Sequence, residues 1–113
     1  DTTPNPFSFS TLLNAALSTS YVSDMIYVDG IDAPATITIS GGEYSLNGGT
    51  TWVTSSGTVT QGASVVMRRT SSAAFNTPVL ASLTIGGVTN SFTIVTAPSQ
   101  DVIDSYLRYS LRI

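Results

Sequence analysis

Three aspartates are the side chains of this sequence that could hold a metal ion. Asp24, Asp29 and Asp32 lie close together in the chain, and carboxylate oxygens are the ligands that calcium prefers. Their spacing does not match an EF-hand loop, so the calcium hypothesis stands against a simpler interpretation as solvated turn carboxylates. Asp29 precedes Gly30, and an Asp-Gly pair is better explained as a turn than as half of a catalytic acid pair.

Other catalytic chemistry is limited by the side chains that the sequence lacks. The 113 residues include no His, Cys or Lys. A Ser nucleophile therefore has neither a His nor a Lys base, and no thiolate nucleophile exists. The sequence predicts that the chain is not an enzyme, with no catalytic residues and no cofactor apart from the calcium hypothesis.

Two aromatic residues suggest a binding alternative. Tyr44 and Trp52 lie on the two arms of a hairpin predicted around Asn47-Gly48, because an Asn-Gly pair between alternating segments favours a tight turn. Both rings could stack on a sugar, which would make the chain a carbohydrate-binding module. The competing interpretation is that they pack on the core, since aromatic side chains bury large areas in small domains.

The charge balance argues against two classes of partner. The formal net charge is -3, and all of the positive side chains are arginines. Binding to nucleic acid or insertion into a membrane is therefore not expected, and no apolar run approaches the roughly 18 residues needed to cross a bilayer. Arg68 and Arg69 are adjacent, so in a strand they should point to opposite faces and form no patch.

Alternating apolar and small polar residues predict an all-β chain. Residues 11–20 fit no clear pattern and are predicted as loop, and Gly86-Gly87 is the clearest two-residue turn. Turns at short intervals indicate an antiparallel sandwich of about seven strands. The predicted strands cover residues 7–10, 25–28, 36–40, 43–46, 50–53, 64–69 and 79–85, with a return strand through Phe92 and Ile94.

The C-terminal segment differs from the rest. Its apolar side chains fall on one helical face and its charged ones on the other, which predicts a short amphipathic helix. A strand is the alternative, because Leu107, Tyr109, Leu111 and Ile113 also alternate. The helix would either bind a partner subunit or fold back over its own sandwich. The predicted partner-binding residues are Val102, Ile103, Tyr106, Leu107 and Leu111.

Most of the chain resembles an immunoglobulin-like repeat module of bacterial surface and secreted proteins and of tailed-phage virion proteins. The resemblance is carried by residues 1–4, 7–9, 16–19, 28–34, 42–49, 57–59, 69–72 and 83–88. It implies an immunoglobulin-like sandwich that acts as a structural or adhesive module in an extracellular, cell-surface or virion assembly such as a phage tail or capsid. Other copies or subunits of that assembly, and surface glycans, would be its partners.

The expected organisation has three parts. Residues 1–6 are predicted as a linker, residues 7–97 as the sandwich, and residues 98–113 as the amphipathic segment.

Overall fold

The prediction of an all-β chain is confirmed by a computed structural model, which describes residues 1–98. These residues form two sheets and contain no helix, and hence none that could cross a membrane. The nine strands are β1 (Leu12–Ala15), β2 (Ser20–Val22), β3 (Ile26–Tyr27), β4 (Ala35–Ser40), β5 (Glu43–Ser45), β6 (Gly57–Val59), β7 (Ser64–Thr70), β8 (Pro78–Ile85) and β9 (Val88–Thr96).

The first sheet has five strands in the order β1, β9, β8, β4, β6. Its centre is the β8–β9 hairpin, which pairs from Pro78 with Val95 to Ile85 with Val88 and turns at Gly86-Gly87. This confirms the hairpin predicted from the sequence. The edge strand β1 runs parallel to β9, so the expectation of a wholly antiparallel sandwich is wrong at this edge.

The second sheet is built around β7. Val22 of β2 and Glu43 of β5 both pair with Arg68, so β2 and β5 lie on opposite sides of this strand. β3 continues the line of β2 along β7. Between them, Ser23 donates its N–H to the Met67 carbonyl (2.7 Å) and accepts the Met67 N–H on its hydroxyl (2.8 Å). The interrupted edge is therefore still bonded to β7.

The core lies between the two sheets. Strands bury every second residue, because successive side chains point to opposite faces. The first sheet contributes Ile37, Leu83 and Ile94, and the second contributes Val65 and Met67, all fully buried. The alternation seen in the sequence therefore marks the buried faces correctly.

The prediction for the first strand is wrong. Residues 7–10 form no strand, although Phe7 and Phe9 pack on the core with their ring centroids 6.0 Å apart. The first strand is instead β1, which lies within the predicted loop of residues 11–20, and β2 begins at the last residue of that range. Asn14 and Ser18 have positive φ, a conformation that breaks the regular alternation and hides these strands from a pattern search.

The predicted Asn47-Gly48 hairpin is only partly formed. Tyr44 and Val53 form a single antiparallel bridge, and residues 50–53 are not a strand. Side chains organise the loop instead: the Asn47 side-chain oxygen accepts the Thr51 N–H, and the Ser45 hydroxyl accepts the Gly49 N–H, both at 2.9 Å. These bonds favour a wider loop over a two-residue turn.

Residues 1–6 pack against the folded body. Asn5 donates its N–H to the Asp29 carbonyl (2.8 Å), and Asp32 donates its N–H to the Asp1 carbonyl (3.0 Å). Pro4 is buried. The linker role of this segment stays a prediction, but the segment also contacts Asp29, Asp32 and the turn at Gly86.

Alanine substitutions in the turn at Gly86-Gly87 test the packing of residues 1–6. A Cβ at Gly86 would lie 1.9 Å from the Thr2 carbonyl oxygen, whereas a Cβ at Gly87 would meet nothing within 4 Å. Both residues have positive φ, so Ala at either position should cost about 1 kcal/mol in backbone strain. Gly86→Ala should lose about 1–2 kcal/mol more in urea unfolding, because it displaces residues 1–4. Equal losses for the two variants would contradict this packing.

Candidate functional site

The three aspartates of the calcium hypothesis are held separately. Asp24 accepts the Ser10 N–H (2.8 Å), and this bond lowers the pKa of its carboxyl. Asp29 accepts hydrogen bonds from the side chains of Gln61 (2.6 Å) and Asn5 (3.2 Å), which lower its pKa.

Asp32 contacts the amino group of Asp1 instead, and its pKa is also lowered by this hydrogen bond. Within residues 1–98 no three acidic side chains are grouped as metal ligands would be. The structure therefore gives the calcium hypothesis no support, and the carboxylates of Asp24 and Asp29 tie neighbouring loops together.

Tyr44 belongs to the core and cannot stack on a sugar. It is only 2% exposed, and burial raises the pKa of its phenol. Its hydroxyl donates to the Ser55 carbonyl (2.8 Å), which satisfies the one polar group of the ring. The expectation of a glycan-binding pair with Trp52 is wrong for this residue, and the alternative of core packing is correct.

Trp52 is half-buried beside a charged pair. The Arg68 guanidinium carbon lies 4.5 Å from the centroid of the Trp52 ring, and this cation–π contact takes up a ring face. Glu43 accepts two hydrogen bonds from the same guanidinium, at 3.0 and 3.2 Å. We call Trp52, Arg68 and Glu43 the Arg68 stack. A sugar could use that ring face only by displacing Arg68.

Both arginines of the described chain line one surface groove of about 760 Å³. The adjacent arginines thus reach a common groove but different partners, since Arg68 binds Glu43 and Arg69 binds Gly41. Arg69 reaches the Gly41 carbonyl with its guanidinium, because the Gly41-Gly42 turn beside it carries no side chains. The other groove residues are Ser20, Gly42, Glu43, Thr54, Thr70 and Ser71. Glu43 pairs with Arg68, and the guanidinium of Arg69 contacts a neutral carbonyl, so the three charged groups of the groove leave one net positive charge.

The outer face of the first sheet is a feature that the sequence patterns did not reveal. Strand pairing places Ser40, Ser82 and Ser91 side by side in one row across β4, β8 and β9. Thr38, Thr84 and Thr89 form the next row. We call the outward serines and threonines of these strands, together with Thr58 of β6, the hydroxyl face. It comprises Thr36, Thr38, Ser40, Thr58, Ser82, Thr84, Thr89, Ser91 and Thr93.

Cross-strand hydrogen bonds order part of the hydroxyl face. The hydroxyls of Ser82 and Ser91 are 2.8 Å apart, and those of Thr84 and Thr89 are 2.7 Å apart. Such pairs stabilise a sheet by about 0.2–1 kcal/mol each. All nine residues are exposed or half-buried. The result is a flat, uncharged surface whose side chains can each donate and accept hydrogen bonds.

The five residues predicted to bind a partner fall outside the described part of the chain. Val102, Ile103, Tyr106, Leu107 and Leu111 are therefore still a prediction, as is the amphipathic segment that contains them.

The Arg68 stack predicts a pH dependence. Hydrogen bonding to Arg68 holds the pKa of Glu43 below its ordinary value of 4.5. A lowered folded-state pKa stabilises the fold above the unfolded-state pKa, and this contribution is lost as pH falls through the folded-state value. Glu43→Gln should therefore melt at a lower temperature than wild type at pH 7, and the gap should close below about pH 4.

Arg68→Gln provides the control, because Glu43→Gln should have little further effect in that background if the two residues act as a pair. A melting-temperature gap that persists unchanged to pH 3 would show that the charge on Glu43 is not what stabilises the stack.

Comparisons with protein-family models, with curated proteins and with solved structures give no match to this chain. The hydroxyl face is therefore the basis of the functional proposal.

Proposed function

We propose that this chain is a non-catalytic, immunoglobulin-like module that makes structural or adhesive contacts in an extracellular, cell-surface or virion assembly. The hydroxyl face is the single observation that carries the proposal. It is the surface through which the module would meet other copies or subunits. No acid–base chemistry is required of it.

The strand order supports the immunoglobulin-like assignment. In that fold the second, fifth and fourth strands share one sheet, while the third, sixth and seventh share the other. Here β7 lies between the β2–β3 line and β5, whereas β8 lies between β4 and β9. The order of the other strands agrees when β2 and β3 are taken as one interrupted strand and β6 as an addition at the edge. The first strand of that fold joins the sheet of the second strand, whereas β1 here pairs with β9 in the other sheet.

The chemistry of the hydroxyl face suits contact better than catalysis. Ser and Thr hydroxyls need a general base to act as nucleophiles, and their neighbours on this face are other hydroxyls. A neutral hydroxyl is much cheaper to remove from water than a charged side chain. Two such faces can therefore come together at low desolvation cost while exchanging hydrogen bonds with water for hydrogen bonds with each other.

Contacts of this kind are weak one at a time. A net hydrogen bond contributes about 0.5–1.5 kcal/mol, and the face offers little apolar area to add to it. Repetition in an assembly raises the total strength, because each further contact forms at a high effective concentration. A module of this type therefore fits a filament, a surface layer or a particle with many copies.

The carbohydrate alternative in its original form has lost its geometric basis. Tyr44 is buried, and the Trp52 ring has Arg68 over it. Binding of an oligosaccharide at Trp52 would require Arg68 to move away from the ring.

Charge on the hydroxyl face should abolish contact between copies. Thr36→Glu/Thr38→Glu places two like charges per copy on this face, so they repel across any contact between two such faces. Sedimentation equilibrium over a concentration series should show weak association for wild type and a monomer for this variant. Thr50→Glu/Thr60→Glu is the matched control with the same added charge at exposed loop positions, and it should associate like wild type.

Exposed substitutions usually alter stability by less than about 0.5 kcal/mol, so all three proteins should fold alike. Circular dichroism of the three proteins checks this. Two results together would contradict the proposal: a wild-type chain that stays monomeric at every concentration, and saturable quenching of its Trp52 fluorescence by oligosaccharides. They would favour a carbohydrate-binding module.

A further inference from the structure

The hydroxyl face ends in an apolar region. Along β8 the outward positions change from Ser82 to Leu80 and then to Pro78. Leu80 is 49% exposed, although solvent contact is unfavourable for a side chain of this size. One end of the same sheet surface therefore has an entirely different chemistry from the rest.

Strand register brings further apolar residues to this end. Val95 pairs directly with Pro78 on β8. Leu13 of β1 follows Leu12, which pairs with Ile94, so Leu13 lies beside Val95 and is 63% exposed. Phe75, in the loop before β8, is 43% exposed. We call Leu13, Phe75, Pro78, Leu80 and Val95 the apolar end.

The chain leaves the folded body at the apolar end. β9 finishes at Thr96, and the next residue is fixed on both sides. Ala97 donates its N–H to the Ala15 carbonyl (3.0 Å) and accepts the Asn76 N–H (2.9 Å). Pro98, the last described residue, therefore follows directly after an anchored residue that is bonded to the loop containing Phe75.

We propose that residues 99–113 fold back over the apolar end of their own copy. The segment has the complementary pattern, because Val102, Ile103, Tyr106, Leu107 and Leu111 share one helical face. As a helix its 15 residues would span about 22 Å, whereas the three strands at the apolar end, β1, β9 and β8, span roughly 10 Å. The segment is therefore long enough to cross the apolar end and bury the exposed leucines.

Charge and tethering both favour this arrangement. The apolar end contains no charged residue, so Asp101, Asp104, Arg108 and Arg112 can remain in water on the opposite side of the segment. A short tether gives the segment an effective concentration in the millimolar range at the apolar end of its own copy. A second copy would compete only at comparable protein concentrations.

Docking of residues 99–113 on the apolar end does not depend on the proposed function. With the segment in place, the outer surface of the first sheet would have its apolar end covered and its hydroxyl rows open. Contacts between modules would then be restricted to the uncharged polar part of the sheet.

Hydrogen exchange of the full chain, read by mass spectrometry, tests the fold-back. Peptides from residues 99–113 should be protected in wild type. They should exchange at least about tenfold faster in Leu13→Asp/Leu80→Asp, because two buried charges would prevent docking. Val22→Asp/Tyr27→Asp is the matched control, with two exposed apolar residues of the second sheet replaced, and its segment should stay protected.

A second variant approaches the contact from the other side. Ile103→Asp/Leu107→Asp leaves the described strands untouched and should also abolish the protection. β9 peptides should keep their exchange rates in every variant, which separates undocking from unfolding. Equal exchange of residues 99–113 in wild type and in the Leu13/Leu80 variant would overturn the proposal. Protection of residues 99–113 that increases with protein concentration would also overturn the proposal, because it would show that a second copy covers the apolar end.

Discussion

The register of the β8–β9 hairpin determines the rest of the structure. Because side chains alternate along a strand, a slip of one residue would turn Leu83 and Ile94 outward and bring hydroxyls into the core. Gly86 and Gly87 prevent this slip, since both adopt the positive φ that a two-residue turn requires. The same register that buries the apolar side chains aligns Ser82 with Ser91 and Thr84 with Thr89 on the opposite face.

The two faces of the first sheet are therefore consequences of one constraint. The inner face supplies the burial that stabilises the domain, and the outer face is left free to be selected for contact. Its rows of small hydroxyls are regular because β4 continues the pattern with Thr38 and Ser40. Such a surface suits the proposed contacts between modules, because weak contacts gain strength when they are repeated in one assembly.

Much of the fold could be predicted from the sequence because the relevant signals are local. The β8–β9 hairpin and β7 follow from alternation and turn residues alone. The parallel strand β1 could not be predicted, because its pairing with β9 joins distant parts of the chain and the positive φ of Asn14 interrupts its pattern. Residues 7–10 show the reverse case, with strand-like alternation but no strand partner.

The candidate surfaces were harder to predict, since each depends on register or on side-chain reach. The hydroxyl rows combine β4, β8 and β9, and no single strand shows them. Arg69 joins the groove of Arg68 because the neighbouring Gly41-Gly42 turn leaves room for its guanidinium. The burial of Tyr44 was one of two interpretations left open by the sequence, whereas the cation–π contact of Trp52 depends on the pairing of β5 with β7.

Contact between modules through the hydroxyl face can be measured directly in solution. Nuclear magnetic resonance can locate such a contact by following backbone amide shifts as the protein concentration rises. We expect the amide shifts of β4, β8 and β9 to change, with the largest effects in the rows through Thr38 and Ser40. The amide shifts of the Arg68 stack should stay constant. Changes confined to Trp52 and its neighbours, with none on the first sheet, would contradict contact through the hydroxyl face.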